Sequence, residues 1–303
     1  MEQAAAVLLE AGIQVKLAPT PGPRMAADLA REAARDTSSL VIACGGDGTI
    51  NEVINGMAPG STPLGILPGG TANITAKELG LPHDPVRAAR ELLNWRPRRI
   101  ALGRASWPTG QDSNEGGTAR SAGVQQRYFL SVAGVGFDAY VVYRLALDFK
   151  FSLGVVAYAI EALRQTFRHS FPPLTCRLDG QKLEGTLAVI QRTQLYAGWF
   201  HLAPAASLFE PKLNLCLFTS RSRWRYFAYI AAVVARLHPR LRDVTMMDAT
   251  RIHCAALAPD TPIHFEVDGE LGGTLPATFE VVPDALTLLA PATSAAAGQP
   301  SDS

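Results

Sequence analysis

Long hydrophobic runs are missing from this sequence. The longest apolar candidate, Tyr226 to Leu237, falls well short of the roughly 20 residues a helix needs to cross a bilayer, so no transmembrane helix is expected. An excess of one charge is missing too. Lys and Arg number 28 against 27 Asp and Glu, which removes the electrostatic basis for a nucleic-acid partner. Cysteine is scarce: Cys44, Cys176, Cys216 and Cys254 include no CxxC pair, so neither a zinc site nor a disulfide framework is indicated. A reducing cytoplasm is the expected compartment. Acidic Glu2 and Glu10 flank the apolar stretch Ala4 to Leu9 and no cationic region precedes it, so a secretory signal is not expected. The histidines form no HExxH. GxGxxG and GxxxxGK[ST] are both absent, which speaks against a dinucleotide dehydrogenase and a P-loop enzyme.

What the sequence does have is glycine in two well-placed loops. The apolar run Leu40-Val41-Ile42-Ala43-Cys44 leads into Gly45-Gly46-Asp47-Gly48-Thr49, and a helical pattern follows, with Ile50, Val53, Ile54 and Met57 on one face. Glycines let the main chain approach an anion, and a helix N-terminus offers free N–H groups and partial positive charge. Asp47 is out of place in a site for phosphate alone. It points to a metal ion or a hydroxyl. Thr49 and Glu52 fit a capping box that would start the helix. The pattern then repeats: strand Leu64–Leu67, loop Pro68-Gly69-Gly70-Thr71, and a short helix Ala72 to Leu79 stopped by Gly80 and Pro82. With helices expected over 2–11 and 24–35 and a strand over Ile13–Leu17, this alternation predicts a parallel α/β sheet with both loops at strand carboxyl ends.

The character changes near residue 98. Strands are predicted at 99–102, 128–132, 174–178, 187–191, 213–218, 250–254, 263–267, 277–281 and 285–289, interrupted by helices at 152–167 and 224–237. The fold class is thus α/β: an N-terminal parallel-sheet nucleotide domain, residues 1–98 plus about 285–291, and a mainly antiparallel β-sandwich domain, 99–284. Residues 108–126 are expected to form a mobile hairpin insertion and 292–303 a disordered tail. The 226–237 helix is flanked by Arg223, Arg225, Arg236, Arg240 and Arg242. It reads either as an ordinary buried helix or as one resting on a membrane surface.

Two linked strings, GGDGTINEVINGM at 45–57 and PLGILPGGTANITAKELGLP at 63–82, resemble the catalytic domain of the diacylglycerol kinase family, which includes bacterial lipid kinases and sphingosine kinases. NAD kinases share only the first element. Gly134-Val135-Gly136-Phe137-Asp138, Tyr196-Ala197-Gly198, Leu202-Ala203-Pro204 and Glu266-Val267-Asp268-Gly269-Glu270 are similar to that family's second domain. The resemblance implies an ATP-dependent, Mg²⁺-dependent kinase acting on a lipid hydroxyl, cytoplasmic and peripheral at the inner face of the membrane, with its cleft between two domains. Gly45, Gly46, Gly48 and Thr49 would cradle phosphates, with Gly69, Gly70, Thr71 and Asn73 lining the same cleft. Thr20 would lie near the nucleotide. Asp47 would act on the metal or the acceptor hydroxyl, Asp268 as general base, and Glu270 beside it as a catalytic and metal-binding carboxylate.

Other readings compete at several positions. Asp-Gly at 268–269 is also a hairpin-turn signal. Asp138 reads either as a headgroup contact or as a solvated acid. Phe149, Phe151, Tyr158 and Phe167 read as core, although a lipid-chain pocket uses the same residue types. Family members normally open with a strand and an Asn-Pro-x-Ser-Gly nucleotide loop, and no such loop precedes residue 45 here. Many bacterial relatives carry Asp-Asp-Gly-Leu-Leu-Asp where this chain has Phe209-Glu210-Pro211-Lys212-Leu213-Asn214, so the structural Mg²⁺ associated with that run is expected to be lost or weak. The alternatives to a lipid kinase are a lipid-binding regulatory relative and a soluble NAD kinase-like enzyme.

Overall fold

The first strand, β1 (Val41–Gly45), ends where its glycines begin, and helix α3 (Asp47–Met57) starts one residue later with Gly46 as its N-cap. The structure is a computed structural model and describes residues 1–22, 24–36, 39–109, 123–147 and 155–291. The inner part of the expected 108–126 insertion, the tail from 292, Phe149, Phe151 and the Tyr158 side chain lie outside the described residues. The chain divides into two units, Met1–Ile100 with the segment from Ala285 onward, and Ala101–Asp284.

In the first unit, α1 (Glu2–Glu10) and α2 (Ala26–Arg35) precede β1, and β2 (Pro63–Pro68), α4 (Ile74–Glu78) and α5 (Pro85–Leu92) follow α3. Strands β1 and β2 run parallel, Val41 opposite Leu64 through Gly45 opposite Pro68. The register puts the two glycine loops side by side at the strand ends. Residues 13–17 form no strand, contrary to expectation. Their alternating pattern finds no ladder partner, and Leu17 stays exposed rather than buried on a sheet face. Glu52 does not close a capping box on its own helix either. Its two carboxylate oxygens accept the N–H groups of Arg24 and Ala26, each at 3.1 Å, so it caps α2 instead. Helix α5 was not foreseen, although Asp84 caps it by accepting the Arg87 N–H at 2.7 Å and Pro85 opens it.

Strand β3 (Arg96–Pro108) carries the chain into the second unit, where the order is β4 (Val124–Phe129), β5 (Val132–Gly136), α6 (Phe137–Leu147), α7 (Val155–Arg168), β6 (Leu174–Leu178), β7 (Gln181–Gly185), β8 (Leu187–Gln191), β9 (Leu195–Tyr196), β10 (Phe200–His201), β11 (Leu213–Phe218), α8 (Arg223–Val234), β12 (Val244–Ala249), β13 (Arg251–Ala256), β14 (His264–Val267), β15 (Glu270–Thr274) and β16 (Ala277–Ala290). One antiparallel sheet has the order β12-β11-β8-β5-β14-β15. Strands β7, β6, β13 and the first part of β16 pair antiparallel as well. Phe129, Val135, Ile190, Leu215, Ile252, Phe265 and Phe279 fill the sandwich core. The opposite face of the six-stranded sheet is also covered, by a second cluster that includes Phe137, Val141, Phe171, Tyr226 and Tyr229. Burial on both faces leaves β5 without polar side chains and β11 with only Asn214, rather than an alternating pattern.

Cys176 and Cys254, 78 residues apart, stand opposite each other on β6 and β13 with their sulfurs 3.5 Å apart. The hydrogen bond to Cys176 and complete burial hold the Cys254 thiol well above its ordinary range, which disfavours the reactive thiolate.

The last strand belongs to both units. Its first part pairs with β13, while Thr287 and Leu288 pair in parallel with Pro63 and Leu64 of β2.

Candidate active site

The two glycine loops of the first unit touch backbone to backbone. The Gly69 N–H donates to the Gly45 carbonyl at 2.9 Å. A methyl group on Gly70 would stand 2.5 Å from the Gly46 Cα, and one on Gly69 would stand 3.0 Å from the Gly45 Cα. Side chains at these positions would force the loops apart, so the glycines are needed for this approach as much as for access by an anion. Asn73 locks the second loop. Its Oδ1 accepts the Gly70 N–H at 2.9 Å, its Nδ2 donates to the Gly70 carbonyl at 2.7 Å, and its own backbone is left-handed at φ 48°.

Asp47 joins the two loops. It sits in the first turn of α3, where negative charge suits the helix dipole, and its Oδ1 accepts the Thr75 N–H at 3.3 Å from the start of α4. Gly48 and Thr49 lie in the same turn and are half-buried, and Thr71 is exposed at the second loop. The structure therefore gathers Gly45, Gly46, Asp47, Gly48, Thr49, Gly69, Gly70, Thr71 and Asn73. Thr20 lies in an exposed, irregular segment. Gly56 went unnoticed in the sequence. A methyl group there would overlap the Ala27 carbonyl, with the Ala27 carbon at 2.8 Å, so α2 and α3 cross at a point only glycine allows.

In the second unit Asp268 and Gly269 form a two-residue turn between β14 and β15, both with positive φ, 48° and 84°. This is the left-handed pair that a tight hairpin demands. The Asp268 Oδ1 accepts the N–H groups of Ser131 and Val132, each at 2.9 Å, and Oδ2 accepts that of Leu130 at 2.8 Å. These donors take three of the roughly four acceptor sites of the carboxylate and stabilise its charged form, which weakens it as a base. Two residues on, Glu270 is partly exposed and pairs with Arg127 at 2.6 Å.

Beneath this turn lies a buried carboxyl pair. Asp138 and Glu266 converge over Gly134, where a methyl group would overlap Asp138 Oδ2 and stand 2.7 Å from Glu266 Oε1. Asp138 accepts the Tyr196 hydroxyl, and Glu266 Oε2 accepts the Gly269 N–H at 2.6 Å. Asp138 is therefore not a solvated acid: the fold buries it between helix α6 and the six-stranded sheet, on the face away from the sandwich core. Burial first, then the Asp138 charge, hold Glu266 well above the carboxylate range. A carboxyl raised in this way contributes fully to stability below its ordinary value of 4.5, and the contribution is lost as pH rises through its folded value. Glu266→Gln, whose amide oxygen still accepts from Gly269, is expected to flatten the stability profile from about pH 5 upward. Urea unfolding across a pH series measures this, and an unchanged slope would contradict the assignment.

The 209–214 segment holds its own cation. The Lys212 ammonium lies 2.8 Å from Glu210 and 2.9 Å from Asp248, in the run where a structural Mg²⁺ is expected to be lost or weak. Arg192, missed in the sequence, is fully buried beneath this loop. It donates to the carbonyls of Leu208 at 2.8 Å and of Glu210 and Lys212 at 3.2 Å each. Burial lowers its guanidinium to about 10.

Glycine loops at the ends of parallel strands, followed in the chain by an antiparallel sandwich, give this chain an α/β plus β-sandwich construction, and the proteins it resembles mark it as a kinase-type enzyme. Residues 1–105 match the diacylglycerol kinase catalytic domain, and residues 131–290 match the YegS C-terminal NAD kinase beta sandwich-like domain. A diacylglycerol kinase of Bacillus subtilis (strain 168) is 27% identical over 275 residues, 89% of this chain and 84% of that protein. One from Mycobacterium tuberculosis is 30% identical over 268 residues, 87% of this chain and 80% of the relative. A crystal structure of a diacylglycerol kinase from Bacillus anthracis str. Sterne shares the fold with a TM-score of 0.67 at 19% identity, covering 98% of this chain and 90% of that one. The chain belongs to the diacylglycerol kinase catalytic-domain family.

Proposed function

We propose that this protein transfers the γ-phosphate of ATP to the hydroxyl of a diacylglycerol-like lipid, working peripherally at the cytoplasmic face of a membrane. The observation that carries the reading is the pair of interlocked glycine loops, tied together by Asp47, in a chain of this family. Phosphoryl transfer asks the protein for positioning and charge neutralisation more than for covalent chemistry. The free N–H groups at the start of α3 meet the phosphates. Gly69, Gly70 and Thr71 close the other side of that cradle, and Asn73 keeps its shape. Among the described residues no three metal-binding side chains cluster, which suits Mg²⁺ carried in on the nucleotide and held by one or two carboxylates. Asp47 would hold it, and the ion supplies neutralisation of the phosphate charge.

The proton acceptor is assigned to Glu270 rather than Asp268, because the oxygens of Asp268 are engaged by three main-chain donors. Asp268 positions the turn from which Glu270 projects. Purified protein with Mg²⁺ and γ-labelled ATP is expected to label diacylglycerol in mixed micelles, and a failure to label any hydroxyl lipid would sink the reading. Glu270→Gln is expected to lower kcat about 100-fold with stability nearly unchanged. Asp268→Asn replaces an acceptor with a donor against N–H groups and should cost about 1–3 kcal/mol of folding stability. Full turnover by Glu270→Gln would return the proton to another group.

A further inference from the structure

The second unit carries an apolar surface that its own core does not use. Helix α8 turns Tyr226 and Tyr229 inward. Its other side, Arg223, Trp224, Phe227, Ala228, Ile230, Ala231, Val234 and Ala235, contains no polar residue except Arg223 at the start. Trp224 is 72% exposed, Val234 61% and Ile230 46%. An outward helix face is ordinarily polar, so this one is the reverse of what water favours. Helix α7 extends the patch with Leu163 at 52% and Phe167 at 49%. The aromatic rings are contiguous: Phe167 lies 5.4 Å from Phe227 and 6.5 Å from Trp224, and Trp224 lies 6.1 Å from Phe227. Phe167, expected in the core, belongs to this surface. The reason lies in its neighbours: Gln165 and Thr166 are the buried members of that turn, which turns Phe167 outward.

The charged residues on α8 and its immediate flanks have one sign. Residues 219–242 contain Arg221, Arg223, Arg225, Arg236, Arg240 and Arg242 and no acid. The next acid, Asp243, is held by Arg225 at 2.6 Å and by the Tyr229 hydroxyl at 2.7 Å. On α7, Glu161 is buried, while Arg164 and Arg168 are exposed. Tryptophan and phenylalanine on an apolar face with arginines at both ends of the helix match the interface of an anionic bilayer, where aromatic rings enter the headgroup boundary and the cations meet acidic lipid. A second copy of the chain would bring arginines against arginines.

We propose that the α7–α8 face docks this protein on an anionic lipid bilayer. The proposal deepens, and rests on, the reading of a lipid acceptor, since it brings the enzyme to the surface where such an acceptor resides. The test is sedimentation with large vesicles of phosphatidylcholine, alone or mixed with phosphatidylglycerol. Wild type is expected to bind the mixed vesicles about tenfold or more tightly than the neutral ones, less so as salt rises, with a blue shift in tryptophan emission. The Phe167→Ala/Trp224→Ala variant is expected to lose about tenfold in vesicle binding and to phosphorylate short-chain diacylglycerol in detergent micelles as wild type does. Arg221→Glu/Arg240→Glu should lose the preference for anionic vesicles. All these residues are exposed, and circular dichroism verifies the fold of each variant. Absence of vesicle binding, equal binding by wild type and the aromatic variant, or a dimer in sedimentation velocity that the aromatic variant splits would each overturn the proposal. Vesicle binding as described, together with phosphorylation of no lipid, would remove the kinase reading and leave the docking face standing.

Discussion

Asp47→Asn is expected to lower kcat/KM by about a thousandfold, a loss of about 4 kcal/mol of transition-state stabilisation, while leaving the protein folded. The substitution is chosen for what it retains. Asparagine keeps an oxygen to accept the Thr75 N–H, so the link between the first loop and α4 survives. What disappears is the negative charge at the N-terminus of a helix whose free N–H groups already attract anions. If Asp47 only stabilised the helix, removing its charge would cost a fraction of a kcal/mol to about 1 kcal/mol of stability and little activity. If it holds the cation that accompanies the phosphates, turnover falls while the melting temperature barely moves. A radiometric kinase assay beside a thermal melt separates the two, and a variant retaining a tenth of wild-type turnover would assign Asp47 a structural role alone.

Gly56→Ala should destabilise the first unit by about 3 kcal/mol, although it adds a single methyl group. The obstacle is main chain rather than the end of a flexible side chain: the new carbon would overlap the Ala27 carbonyl and stand 2.9 Å from the Ala27 Cα. Relief requires α2 and α3 to separate. That movement would also strain the caps that Glu52 places on the N–H groups of Arg24 and Ala26. Because α3 begins in the phosphate-binding loop, nucleotide affinity is expected to fall along with stability. Urea unfolding and ATP titration measure the two effects, and wild-type values for both would mean that the helices separate freely.

The elements that place the glycine loops were legible because their signals are local. Val41–Gly45 and Pro63–Pro68 are short apolar runs stopped by glycine, and the face of α3 repeats at helical spacing. What failed depended on distant partners. Glu52 looked like a cap for its own helix and serves another, 26 residues upstream. The Asp-Gly pair at 268–269 announced a turn, but the three N–H groups that bind Asp268 come from residues 130–132, at the bend from β4 into β5. Strand β15 was hidden by Gly272 and Gly273, which lower strand propensity. Gly272 is required there because a Cβ would overlap the Phe265 ring. Helix α6 was overlooked because Phe137, Ala139 and Val141 are all buried, which blurs a one-sided helical stripe. The outward aromatic face of α8 could be read only as two alternatives, because composition does not reveal which side of a helix the core leaves uncovered.

Strand β16 ties the folding of this protein to the direction of its synthesis. The residues that continue the first unit's parallel sheet, Thr287 and Leu288 against Pro63 and Leu64, leave the ribosome long after their partners. The glycine loops are therefore translated long before the sheet that supports them can close. Until then β2 presents an open edge to its surroundings. Pairing across so long a sequence separation is the slow, high-contact-order step, and the first unit waits for it while the second unit, whose residues are contiguous, can complete its sandwich. The phosphate cradle reaches its final form only after Thr287 and Leu288 have emerged to extend that sheet.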